Sequence, residues 1–151
     1  MTGSWRLGTF SGIPVFVHWT FLLLLGFVAL SQLVASGSIA MALSGVAFVA
    51  MIFGCVVLHE FGHALAARRF GIGTRDVTLL PIGGIARLDR MPEKPSQELW
   101  VALAGPAVNL LMAIGWGLAL ELMVLLVGFV DIPSGFLYLY VELCVIGVLI
   151  N

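Results

Sequence analysis

Hydrophobic and polar positions are unevenly spread along this chain. Residues 39–58 are twenty positions without a charge, and the apolar run continues to about residue 67. Residues 15–34 and 99–128 form two more such runs, and residues 136–150 a fourth. A membrane-crossing helix needs about 20 apolar residues at about 1.5 Å each. The first three runs meet that length. The fourth is still apolar where the sequence stops at Asn151, and it reads as an incomplete span of a longer protein. The pattern predicts an all-α, polytopic membrane protein of about four transmembrane helices, organised as one core over residues 1–151 with no separate soluble domain.

Between the second and third runs the pattern changes. Residues 76–89 hold two short apolar stretches around Gly83-Gly84, which predicts a small β-hairpin. It is apolar for a water-exposed hairpin. It is either an ordinary surface hairpin or one that dips toward the membrane against protein. Met91 to Ser96 reads as a turn, with Ser96 as a candidate N-cap for the third helix.

Composition supports the membrane assignment: 61% of residues are hydrophobic and only 10% charged, against about a quarter charged in soluble domains. The net charge of −1 argues against a nucleic-acid partner. Arg68, Arg69, Arg75, Arg87, Arg90 and Lys94 all fall between the second and third runs, whereas the other linkers carry no basic residue. The positive-inside rule therefore puts the 68–98 loop and the N-terminus in the cytoplasm. Trp5, Trp19 and Trp100 would lie near that interface, and Tyr138 and Tyr140 near the other. Cys55 and Cys144 sit in apolar runs, where packing is the plain reading and a soft-ligand role for Cys55 the alternative.

Candidate chemistry begins at the end of the second run, which reads His59-Glu60-Phe61-Gly62-His63. Histidines four residues apart share one helix face and can reach one metal ion. From this composition the His-Glu-x-x-His pattern is expected by chance roughly 0.002 times, so accident is a poor account of it. Ionisable side chains inside a membrane are costly and usually functional. Zinc acidifies a bound water, and Glu60 is placed to take its proton as general base. His59 lies nine residues before Arg68, about 13 Å inward along a helix. A third protein ligand is needed, and Asp76, Asp89, Glu93, Glu98, Glu121, Asp131 and Glu142 are the candidates; none stands out. His18 reads as an interfacial, hydrogen-bonded histidine or as a support for the site. Asn109, in Gly105-Pro106-Ala107-Val108-Asn109, could bind substrate or hydrogen-bond between helices.

The stretches Gly12 to Val15, His18-Trp19, His59 to His63, Leu80 to Gly84 and Gly105 to Asn109 together resemble the site-2 protease family of intramembrane zinc metalloproteases, in order and spacing over nearly the whole chain. The opening stretch is most similar to the prokaryotic branch that often carries CBS domains. The resemblance implies one Zn2+ per chain held by His59 and His63, with Glu60 as general base. It implies that Asn109 faces substrate and that the Gly83-Gly84 hairpin borders the site and pairs with an extended substrate. It further implies a bilayer-spanning protein substrate, a regulator whose cytoplasmic part is released, and residence in a prokaryotic cell membrane. The family's third zinc ligand is an aspartate in an Asp-Gly motif on a later span, expected beyond Asn151. A truncated inactive form, a non-catalytic zinc-binding scaffold and a CAAX-type prenyl protease are the alternatives.

Overall fold

A computed structural model describes residues 3–127 of the chain. The strands β1 (Ser4–Phe10) and β2 (Ile13–His18) are followed by the helices α1 (Trp19–Ser36) and α2 (Ile39–Arg69). Then come β3 (Thr74–Leu80), β4 (Gly83–Leu88) and the helix α3 (Pro95–Val127). The expectation of an all-α fold with one hairpin needs correction. The N-terminal residues make a second hairpin, and all four strands join one sheet in the order β1-β2-β3-β4. The outer pairs are antiparallel, and β2 runs parallel to β3 across the α1–α2 crossover.

The first apolar run is thus two elements. Ile13, Val15 and Val17 alternate with less buried neighbours, the period of a strand, and pack on the sheet's inner face. Ser11 and Gly12, both at positive φ, close the β1–β2 turn. The helix starts only at Trp19, where His18 is the N-cap and its Nδ1 accepts from the Thr20 N–H at 3.4 Å.

Gly37, left-handed at φ 64°, and the N-cap Ser38 turn the chain from α1 back into α2. A Cβ on Gly45 would stand 3.0 Å from Gln32 Cγ, so this glycine lets the two helices approach. The 18 residues of α1 reach about 27 Å, but the 31 of α2 reach about 46 Å. Alongside the rest of α2 the sheet takes over. Phe61 and Ala64 pack with Ile13, Val15 and Val77, and Phe53 packs with Val17, Phe21 and Leu79. Past Arg69, α2 ends in a Schellman arrangement, with the Gly71 N–H on the Arg68 carbonyl and the Ile72 N–H on the Ala67 carbonyl. Ile72 then packs on Ala67 and Val101 of α3.

The β3–β4 hairpin lies where the sequence predicts one, but its turn is Pro81-Ile82. Gly83 and Gly84 open β4 instead of making the turn. α3 starts at Pro95, so Ser96 is inside the helix and not its cap; proline suits the first helical position. Three helices among the described residues are long and apolar enough to cross a membrane. The expected fourth span at 136–150 lies outside the described residues, as do Asp131, Tyr138, Tyr140, Glu142 and Cys144.

Candidate metal centre

His59 and His63 project from successive turns of α2 with their ring planes at 77° and their Nε2 atoms 3.0 Å apart. His63 Nδ1–H donates to the Val101 carbonyl of α3 at 2.7 Å. A carbonyl can only accept, so Nδ1 carries the proton and the Nε2 lone pair points toward His59. Two nitrogens on one tetrahedral zinc stand about 3.3 Å apart, close to the spacing found.

The space in front of the pair is kept open by a missing side chain. A Cβ on Gly105 would run into both imidazoles, 2.6 Å from His59 Nε2 and nearer still to His63 Nε2. Gly62 works from the other helix: a Cβ there would stand 2.7 Å from the Ala104 carbonyl oxygen and 2.9 Å from Val108 Cγ2. These two glycines let α3 cross α2 at the histidines. The two nitrogen donors and the cradle fit part of a zinc site, which takes a third protein ligand.

Glu60 turns toward the sheet. Its Oε2 accepts the Ala86 N–H at 3.2 Å, and Gly84 lets β4 approach, since a Cβ there would stand 2.8 Å from Glu60 Cγ. Gly84 therefore sits beside the candidate base, while Gly83 belongs to the turn end of β4. Asn109 is half-buried on α3, four residues beyond Gly105.

Among the described residues no group of three or more His, Cys, Asp or Glu side chains could hold an ion. Asp76 is buried but engaged by the fork of Arg87, with Nε donating to Oδ1 at 2.9 Å and the second nitrogen to Oδ2. That hydrogen bond raises the pKa of Arg87 above its ordinary value. Asp89 pairs with Arg75 at 2.9 Å, Glu93 lies 3.7 Å from Arg90, Glu98 is in the first turn of α3 and Glu121 is exposed. His18 caps α1 and Cys55 is partly buried on α2. Sequence reasoning passed over the Val101 carbonyl, Gly62 and the Ala86 N–H. The close approach of Gly105-Pro106 was signalled only in general terms.

The family model described as Peptidase family M50 matches residues 47–144, which hold both histidines, Glu60, the β3–β4 hairpin and Gly105 to Asn109. The chain belongs to this family, the site-2 proteases. A zinc metalloprotease of Methanocaldococcus jannaschii, MJ0392, is 39% identical over 114 residues, 76% of this chain and 32% of the relative. The Synechocystis protein sll0528 is 38% identical over 124 residues with the same two coverages. The chain therefore spans about a third of the length of these curated relatives. Among solved structures, the site-2 protease of Methanocaldococcus jannaschii superposes with a TM-score of 0.63 at 31% identity, covering 95% of this chain and 62% of that one. With three span-length apolar helices, this M50 chain is a membrane protein.

Proposed function

We propose that this chain carries the core of an intramembrane zinc metalloendopeptidase that cuts membrane-anchored regulatory proteins near the cytoplasmic face of a prokaryotic cell membrane. The observation that carries the proposal is the pair of Nε2 atoms 3.0 Å apart, facing the space that Gly105 leaves open, with Glu60 one residue from His59.

His59 and His63 hold one zinc ion per chain, and when bound it supplies Lewis acidity and a water acid enough to ionise near neutral pH. Val101 fixes the His63 ring by taking its Nδ1 proton in a hydrogen bond. Glu60 receives a proton on its carboxylate and delivers it to the departing amine. The outer edge of β4 offers backbone groups to an extended substrate, and Asn109 offers an amide from the facing helix. The basic loop between α2 and α3 supports a multi-pass topology with that loop in the cytoplasm.

The test is zinc content and cleavage measured together. His59→Ala and His63→Ala should lose the metal. Glu60→Gln should retain it and lose roughly 10²- to 10⁴-fold in turnover. Full cleavage by Glu60→Gln would remove Glu60 as the base, and zinc bound by a wild type that cleaves nothing would leave a metal-holding scaffold as the reading. Zinc retained by both histidine variants would refute the site.

A further inference from the structure

The Ala86 N–H lies on the part of β4 that an incoming peptide would use. The two-residue turn makes Leu80 and Gly83 the closing pair of the hairpin, and antiparallel pairs alternate between bonded and non-bonded. Thr78 with Ile85 and Asp76 with Arg87 are then the bonded pairs. Gly84, opposite Leu79, and Ala86, opposite Val77, turn their N–H and carbonyl groups to the outer edge. The contact from the Ala86 N–H to Glu60 Oε2 agrees with that alternation. The Arg87 fork on buried Asp76 holds the register one residue away.

We propose that Ala86 is a substrate-binding donor that Glu60 occupies while no substrate is present, so that strand docking and release of the base are one exchange. The inference rests on the protease reading above. An extended peptide added to β4 brings a carbonyl oxygen to each outward N–H. At Gly84 it meets an open position. At Ala86 it meets the Glu60 carboxylate, and one N–H on that edge cannot serve both acceptors in good geometry. The peptide carbonyl replaces Oε2, β4 keeps its hydrogen bond, and Glu60 swings free toward the histidine pair. The base is thereby withheld from water until a strand lies beside it. Gly84 is essential to the exchange, because any Cβ there would hold the strand away from Glu60.

A double-mutant cycle on binding tests this. The protein is placed in lipid nanodiscs with zinc chelated, so that nothing is turned over. The probe is a fluorescein-labelled polyleucine transmembrane peptide with a central Asn-Gly pair that lets it unwind. Glu60→Ala removes the competitor and should tighten binding roughly three- to tenfold, the range of one hydrogen bond. Ala86→Pro removes the N–H at a position whose N–H is not used by the β3 pairing. In that background Glu60→Ala should give no gain. An ester in place of the Ala86 amide removes the same N–H without a proline ring, and should abolish the gain equally if the proline variant misfolds. No gain from Glu60→Ala, or an equal gain in both backgrounds, overturns the exchange. Cleavage by the zinc-loaded wild type is scored separately, and its failure counts against the protease reading instead.

Discussion

From Ile39 to Ile52, α2 lies beside α1 and buries one described position, Ala42; from Phe53 to Ala67 it buries six: Phe53, His59, Phe61, Gly62, Ala64 and Ala67. Both stretches are apolar, yet they answer to different neighbours. The first packs on another apolar helix, where contact with lipid tails is nearly as favourable as contact with protein. The second is enclosed by a sheet on one side and α3 on the other, and small residues allow the close approach. Apolarity sets where a helix can cross a bilayer, whereas glycine and alanine at the crossings decide where it can be packed tightly enough to hold a site.

The contrast is broken most severely at the crossing. Gly105→Ala should abolish zinc retention, read as metal per chain after gel filtration, because the added methyl fills the space facing both Nε2 atoms. Retention of a full equivalent would show that the ion sits elsewhere. Next comes Gly84→Val, which forces β4 off Glu60. Zinc should stay bound, while peptide hydrolysis falls at least tenfold, as misplacement by about 1 Å can cost 10²-fold. The buried carboxylate is a smaller lever. Asp76→Ala leaves the Arg87 fork without its partner and should lower the thermal midpoint by a few degrees. Leu30→Ala, at a side chain 62% exposed on α1, should change stability by no more than about 0.5 kcal/mol by the same assay. A large effect there would dissolve the distinction between the two halves of α2.

The metal pair was legible because a four-residue spacing translates directly into one helix face. Residues 76–89 announced a hairpin, but a run such as Leu80-Pro81-Ile82-Gly83-Gly84 contains more than one plausible turn. With the turn at Pro81-Ile82, Gly84 falls against Glu60, a neighbour distant in sequence and invisible to a local pattern. β2 was hidden because its alternating Ile13, Val15 and Val17 run without a break into the apolar residues of α1. Asp76, one of seven candidate ligands of which none stood out by sequence, is engaged by Arg87 across the hairpin. The Ala86 N–H and the Val101 carbonyl belong to the backbone, which every residue carries, so no residue type marks them.

One junction joins the sheet directly to a span-length helix. β2 passes into α1 at the His18-Trp19 peptide with no intervening loop, and the His18 ring staples that joint through Thr20. Helix tilt responds to bilayer thickness, at a cost of fractions of a kcal/mol per Å of mismatch. With no slack at the joint, a change in the lean of α1 is carried as a lever into the strands that it continues.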